Sequence, residues 1–148
     1  MFERVVAAID DDPERSVKVL DAAAELGRGL GSHVLVVHVR EVERPAGMLA
    51  STARPGALPP VLHMESEEEA RRLVDDAVDR LRAAGVRADG QLGPGEGSTA
   101  RELMEIAQSF GCSLIVIGDR GSRVTDLLLG SVAHRVVHLA PCPVLLVR

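Results

Sequence analysis

Hydrophobic residues along the chain occur in two alternating arrangements. Short runs of β-branched and aliphatic residues are typical of strands that are covered on both faces of a parallel sheet. Between them lie longer stretches in which apolar residues recur three or four positions apart, as on one face of a helix. The short runs predict five strands, at Arg4–Ile9, His33–Val39, Val86–Leu92, Ser113–Ile117 and Pro143–Val147.

The helical spacing predicts four helices, at Pro13–Leu30, Leu62–Ala84, Thr99–Phe110 and Ser131–Leu139. Asp12 suits the N-cap of the first helix, and Thr99 and Glu102 have the spacing of a capping box for the third. The same spacing predicts the inward faces of the first and last helices. These are Val17, Leu20, Ala24 and Leu26 on the first helix, and Val132, Val136 and Leu139 on the last.

The alternation of strand and helix predicts a doubly wound α/β fold. Single helices between strands imply a parallel sheet with right-handed crossovers and helices on both faces. No internal repeat or compositional boundary interrupts residues 1–148, so we expect one domain. The segment 44–60 holds four of the eight prolines and is expected to be a flexible loop within that domain.

Composition restricts how such a domain could bind anything. Of 148 residues, 46% are hydrophobic, yet Phe2 and Phe110 are the only aromatic residues. The core is therefore expected to be aliphatic, and binding modes that depend on aromatic stacking are excluded. The 17 basic and 22 acidic residues give a net charge of −5, which argues against nucleic-acid binding through phosphate neutralisation.

Hydropathy argues against a membrane or exported location, and we expect a cytoplasmic protein. The first apolar run, Val5–Ile9, is too short for a signal peptide, and Leu139–Val147 is too short to span a bilayer. Cys112 and Cys142 lack the CxxC spacing, so they are expected to be reduced thiols. The histidines are expected to have structural roles and not catalytic or metal-binding ones. His38 is expected to be buried, and His134 and His138 are expected to lie on a helix surface.

Candidate chemistry lies where two predicted strands end. The first strand leads into Asp10-Asp11-Asp12, and the fourth leads into Gly118-Asp119-Arg120-Gly121. A further pair, Gly130-Ser131, begins the last helix. Glycines allow close approach of a ligand to the backbone, and free N–H groups at a helix start bind anions. In an open α/β sheet, ligands bind beyond the carboxyl ends of the strands. These segments therefore indicate a phosphate-binding site.

These segments, together with Val37-His38-Val39 and the tail Ala140-Pro141-Cys142-Pro143-Val144-Leu145-Leu146-Val147, resemble the universal stress protein family over the whole chain. The resemblance implies a Rossmann-like sheet of strand order 3-2-1-4-5 and an ATP-binding regulatory function in stress response. It implies that Gly118, Gly121, Gly130 and Ser131 cradle the phosphates. Asp10 would lie near the ribose, the backbone of Val39 would meet the adenine, and Ala8 and Ile117 would line the pocket. The full expected nucleotide-binding set is Ala8, Asp10, Val39, Ile117, Gly118, Arg120, Gly121, Gly130, Ser131 and Val132.

The sequence departs from the nucleotide-binding pattern of that family at two places. Eight residues, instead of the usual nine, separate Gly121 from Gly130. Asp10 is followed by Asp11 and Asp12 where the family has Gly-Ser, and Asp119 adds a fourth carboxylate. Because these charges would repel a triphosphate, ATP is expected to arrive with Mg²⁺, with Asp10 near the metal. Cyclic AMP stays open as an alternative ligand.

Three functions follow from these residues. The first is a nucleotide-binding regulatory module with at most slow ATP hydrolysis, since no general base or arginine finger is evident. The second is an interaction module of the same fold that binds no nucleotide. The third, an adenylyl-transferring ligase, lacks the phosphate loop it would need after the first strand. In either of the first two cases a homodimer is expected, because Pro143–Val147 forms an uncharged edge strand.

Overall fold

The computed structural model describes residues 1–40, 65–119 and 130–148. Strands and helices alternate along the chain, as the hydrophobic pattern predicts. In chain order the elements are β1 Arg4–Ala8, α1 Pro13–Leu30, β2 His33–Val39, α2 Glu67–Ala83, β3 Ala88–Gly93, α3 Thr99–Phe110, β4 Leu114–Gly118, α4 Ser131–Leu139 and β5 Val144–Val147.

All five strands form one parallel sheet of order β3-β2-β1-β4-β5. The predicted fold class and strand order are confirmed. Because β1 lies in the centre, Ala8 is in register with Val37 on one side and with Ile117 on the other. The strand order reverses at β1, so the crevice between β1 and β4 lies where ligands bind in sheets of this kind.

The sheet separates two aliphatic cores. On one face, alternate residues such as Val5 and Ala7 pack with Val19 of α1 and Val74 of α2. On the other, Val6 packs with Leu103 of α3 and Val136 of α4. Alternation along β1 thus sends successive side chains to opposite faces, as strand geometry requires. The two phenylalanines only flank these cores, which agrees with the predicted aliphatic interior.

Several element boundaries differ from the predicted ones. The second helix begins at Glu67 and not at Leu62, because Ser66 and Glu69 form a reciprocal capping box there. The third strand begins at Ala88, since the Val86 N–H still bonds to the Leu81 carbonyl at the end of α2. The predicted loop 44–60 lies outside the described residues.

The predicted caps and inward faces are partly right. The Asp12 side chain caps α1 by accepting from the N–H groups of Glu14 and Arg15. The capping box at Thr99 is wrong: Ser98 is the N-cap of α3, and Glu102 instead accepts from the N–H groups of Gly95 and Gly97. Val17 and Leu139, predicted to face inward, are exposed. Among the helices of the described ranges, none has the length and apolarity to cross a membrane.

Candidate functional site

A cleft, partly open to solvent, lies at the carboxyl ends of β1, β2 and β4. Its walls come from those strand ends and from the first turns of α3 and α4. The residues that line it are Ala8, Ile9, Asp10, Val37, His38, Val39, Thr99, Leu103, Ile117, Gly118, Gly130, Val132 and Ala133. The cleft therefore has an aliphatic wall on the α3 side and polar groups at the ends of β1 and β4.

The aliphatic wall is formed by small and branched side chains. Ala8, Val39 and Ile117 follow the ends of three adjacent strands, and Leu103 and Val132 face them from α3 and α4. All five belong to, or pack against, the core on that face of the sheet. Flat apolar ligands can bind between such side chains without an aromatic partner, because burial of apolar surface is not directional.

Asp10 is held in an ion pair directly beyond β1. Its Oδ2 accepts from Arg15 Nε over 2.6 Å, and its Oδ1 accepts from the Asp12 N–H over 3.0 Å. Arg15 also lies 3.3 Å from Asp12 Oδ2. The Asp10 and Arg15 side chains are only 24% and 17% exposed. One arginine therefore offsets the charge of two of the carboxylates that the sequence places at the cleft.

Gly118 provides the space in which Arg15 reaches Asp10. A Cβ atom at Gly118 would collide with Cγ of Arg15 and would lie 2.7 Å from its Cδ. The glycine was expected for close approach of phosphates, and it does line the cleft. In this structure a side chain is excluded at Gly118 by the stem of Arg15, which crosses β4 at this point.

The amino end of α4 lies across the cleft from Asp10. The Gly130 N–H donates to Asp119 Oδ1 over 3.0 Å, and Arg148 Nε lies 3.6 Å from Asp119 Oδ2. The Asp119 side chain is 6% exposed. Its carboxylate thus already complements the positive end of the helix, where an incoming phosphate would also bind. Ser131 is the first residue of α4 and is exposed.

His38 is buried, as predicted, and both its ring nitrogens face acceptors. Nδ1 lies 3.2 Å from the Ile9 carbonyl oxygen, and Nε2 lies 2.9 and 3.0 Å from the two carboxylate oxygens of Glu65. A carbonyl oxygen only accepts, so Nδ1 carries a proton. Hydrogen bonding at Nε2 requires a second proton, on the imidazole or on Glu65. The hydrogen bond between His38 and Glu65 holds the residue before the N-cap of α2 next to the cleft.

The structure brings together most of the residues that the sequence predicted for the site. Seven of the ten expected binding residues line one cleft: Ala8, Asp10, Val39, Ile117, Gly118, Gly130 and Val132. Ser131 is adjacent to it in sequence, and Arg120 and Gly121 lie outside the described residues. Across the described ranges, no three metal-ligating side chains converge. His134 and His138 are exposed neighbours on α4, as predicted.

Sequence reasoning missed three residues at the cleft. Arg15 was predicted only to lie within the first helix. Its i,i+3 spacing from the cap Asp12 is the signal that indicates an ion pair there. Thr99 was assigned to a cap and instead lines the cleft. His38 was recognised as buried, but no pattern in the sequence reveals its partner Glu65, 27 residues away.

Comparisons with known proteins agree with this fold. The model of the universal stress protein family matches residues 1–148. Universal stress protein YxiE of Bacillus subtilis (strain 168) is 34% identical over 151 residues, which cover 100% of both chains. Universal stress protein A homolog 1 of Coxiella burnetii is 31% identical over 146 residues, which cover 99% of this chain and 96% of the relative.

Solved structures give the same result. A universal stress protein family member from Burkholderia pseudomallei superimposes with a TM-score of 0.71 at 30% identity, covering 99% of this chain and 96% of that one. The universal stress protein from Archaeoglobus fulgidus in complex with dAMP gives a TM-score of 0.67 at 26% identity, covering 100% and 98%. Matched over its whole length in sequence and in fold, the chain belongs to the universal stress protein family.

Proposed function

We propose that this protein is a regulatory module that binds an adenine nucleotide, ATP foremost, in the cleft beyond β1 and β4. The observation that carries the proposal is the convergence of seven of the expected residues on one cleft with an aliphatic wall and a helix N-terminus. The relative from Archaeoglobus fulgidus, which is similar over the whole chain, is a complex with dAMP. Adenine with a ribose and phosphates matches this division into an apolar and a polar end.

Each part of the cleft has a role in this proposal. Ala8, Val39 and Ile117 would hold the faces and edge of the adenine, and Asp10 would accept from the ribose hydroxyls. The first turn of α4 would supply N–H groups to the phosphates, since its first N–H groups have no acceptor within the helix. Gly118, Gly130 and Ser131 would lie beside those phosphates, with Gly121 as the fourth member of the expected glycine signature.

The ion pairs change what is expected of the metal. Four carboxylates were expected to repel a triphosphate, but Asp10 and Asp12 contact Arg15, and Asp119 lies near Arg148. Nucleotide binding would therefore need less compensation by a divalent cation than the sequence suggests. Mg²⁺ would supply charge neutralisation for the phosphates when bound, with Asp10 the nearest carboxylate of the proposed site.

A regulatory role fits the absence of catalytic geometry from the described cleft. Arg15, the arginine that contacts Asp10 at the cleft, is occupied by Asp10 and Asp12. Neither carboxylate is free to act as a general base while it holds that ion pair. We propose that ATP turns over slowly or not at all, and that occupancy changes the surface presented to other proteins.

A titration of thermal stability tests the binding proposal. ATP at about 100 times its dissociation constant should stabilise the fold by about 2.7 kcal/mol, raising Tm by several degrees. Ala8→Leu would fill the apolar wall and should remove the shift. Ala22→Leu, at a half-buried alanine of α1 that does not line the cleft, should retain it. AMP, ADP, cyclic AMP and dAMP, each with and without Mg²⁺, identify the preferred ligand.

One observation favours the alternative, an interaction module that binds no nucleotide. The Asp119 carboxylate accepts from the Gly130 N–H and so already places a negative charge at the start of α4. Under this alternative, no adenine nucleotide at millimolar concentration would shift Tm, and Ala8→Leu would behave like wild type in the titration. The shortened segment between Gly121 and Gly130 points in the same direction.

We further propose that the protein forms a homodimer through β5. Within the described residues this strand pairs with β4 alone and forms one edge of the sheet, and its Leu145 is 40% exposed. Leu139 and Val137 of the adjacent α4 are also exposed. Light scattering should show a dimer for wild type and for Val17→Lys, a matched change of an exposed residue on α1. Leu145→Lys should weaken dimerisation at least tenfold, and an unchanged dimer would contradict the proposal.

A further inference from the structure

The two cysteines of the chain lie in contact. Cys112 and Cys142 are 30 positions apart, yet their Sγ atoms are separated by 3.2 Å. Both side chains are partly buried and pack against the core beneath α3 and α4. The absence of CxxC spacing predicts reduced thiols, and the topology of the sheet places these two thiols side by side.

The backbone fixes both cysteines at the amino-terminal edge of the sheet. Cys112 follows the left-handed C-cap Gly111 of α3, and its N–H donates to the Ala107 carbonyl over 3.0 Å. Cys142 precedes Pro143, whose carbonyl accepts from the Ile115 N–H at the start of the β4–β5 ladder. Neighbouring strands β4 and β5 thus determine how close the two thiols are. The candidate nucleotide cleft is at the opposite ends of these strands.

We propose that Cys112 and Cys142 form a reversible intramolecular disulfide, through exchange with a low-molecular-weight disulfide such as oxidised glutathione. One thiolate attacks the external disulfide, giving a mixed disulfide and releasing one small thiol. The second cysteine, after losing its proton to solvent, attacks the protein sulfur of that mixed disulfide and releases a second small thiol. The protein loses two protons and two electrons, and the external disulfide is reduced to two thiols.

The geometry requires little movement. A disulfide needs a sulfur separation of about 2.0 Å, so the two sulfur atoms must approach by about 1.2 Å. Partial burial leaves one side of the pair accessible to a small disulfide, and contact between the sulfurs favours closure over reaction with a second small disulfide.

The surroundings of Cys112 affect how readily it reacts. Burial, and then the hydrogen bond with Cys142, raise the pKa of the Cys112 thiol to about 12. Cys112 is therefore protonated at neutral pH, and its reaction as a thiolate should become faster as the pH rises.

The crosslink would enclose a functional part of the chain. The covalent ring formed by residues 112–142 contains β4 and α4, and with them Ile117, Gly118 and Gly130 of the cleft. Such a ring restricts the unfolded chain more than the folded one and so favours the folded form of this half of the sheet. The inference concerns the thiols alone and does not depend on nucleotide binding.

Mass spectrometry after redox equilibration tests this site. The full chain is incubated with oxidised and reduced glutathione at graded ratios, and the remaining thiols are alkylated under denaturing conditions. The expected result is a monomer that has lost the mass of two hydrogen atoms, takes no alkylating label and yields a crosslinked peptide joining Cys112 and Cys142. The fraction oxidised should be the same at tenfold lower protein concentration, and reductant should restore both labels.

Single variants provide the control. Cys112→Ser and Cys142→Ser should each stop at one glutathione adduct or one label, with circular dichroism confirming the fold. If one of these variants fails to fold, the other single variant is compared with wild type. The proposal would be overturned by wild type that keeps both labels at every ratio, that carries two glutathione adducts, or that forms covalent dimers instead of the internal crosslink.

Discussion

Arg15 Nε donates to Asp10 Oδ2 over 2.6 Å while the stem of the same side chain covers Gly118. This contact links three elements that meet at the cleft: the end of β1, the first turn of α1 and the end of β4. It also balances negative charge at the place where phosphates are proposed to bind. The consequences can be measured separately for binding and for stability.

Arg15→Met should weaken ATP binding about tenfold in the absence of Mg²⁺, a change of roughly 1.4 kcal/mol. Methionine keeps much of the stem but removes the guanidinium that contacts Asp10 and Asp12, so the two carboxylates would repel the phosphates more strongly. Mg²⁺ should recover part of the loss. Isothermal titration calorimetry measures the effect, with Lys18→Met on the exposed side of α1 as the charge-matched control. Unchanged or tighter binding by Arg15→Met would refute this electrostatic role.

Gly118→Ala should destabilise the protein by roughly 1–3 kcal/mol, because the new Cβ collides with the Arg15 stem. In the Arg15→Ala background the same change should cost much less, since the obstructing atoms are gone. Urea unfolding of the four proteins in this double-mutant cycle gives the coupling energy. Gly29→Ala is the control: it lies in α1 with open space around it and should stabilise by roughly 0.5–1 kcal/mol. Purely additive effects would show that Arg15 is not the obstacle.

The parts of the fold that could be predicted are those that depend on local pattern. Runs such as His33–Val39 are buried on both faces of a parallel sheet, so hydrophobicity alone identifies them. The cap at Asp12 could be predicted because a side-chain acceptor is needed at the start of α1. The positions of Asp10 and Gly118 at the cleft could be predicted because parallel strands end at one edge of the sheet. Ala8, Val39 and Ile117 were expected there because the family resemblance implies it.

The parts that could not be predicted depend on which strands become neighbours. Arg15 reaches Asp10 across Gly118 only because β4 lies beside β1, and the contact between Cys112 and Cys142 exists only because β5 lies beside β4. Glu102 had two sets of donors within reach. The N–H groups of Gly95 and Gly97 hold its carboxylate, and the capping box predicted at Thr99 does not form. Which partners these side chains contact depends on the tertiary structure, and no residue spacing in the sequence identifies those partners.

Glu65→Ala should destabilise the fold by roughly 1–3 kcal/mol, because it leaves Nε2 of a fully buried His38 without its hydrogen-bond partner. Guanidinium unfolding at pH 7 measures the change. Glu67→Ala, two residues further along, removes an exposed ion pair with Arg71 and should cost less than about 0.5 kcal/mol. Equal effects of the two substitutions would mean that the buried hydrogen bond contributes no more than a surface pair.

Asp89 should make stability depend on pH in acid. The hydrogen bond from His33, with Arg82 nearby, holds the pKa of Asp89 below its ordinary value of 3.8. A depressed carboxyl pKa stabilises the folded state above the unfolded pKa, and this contribution disappears as the pH falls through the lower, folded value. Because Asp89 is 56% exposed, solvent screening keeps the contribution below about 1 kcal/mol.

Asp89→Asn should therefore be slightly less stable than wild type at pH 7, and the difference should shrink as urea unfolding is repeated toward pH 2–3. Asp75→Asn, on the exposed face of α2, should follow the wild-type profile. A gap between Asp89→Asn and wild type that stays constant down to pH 2 would show that titration of Asp89 is not its source.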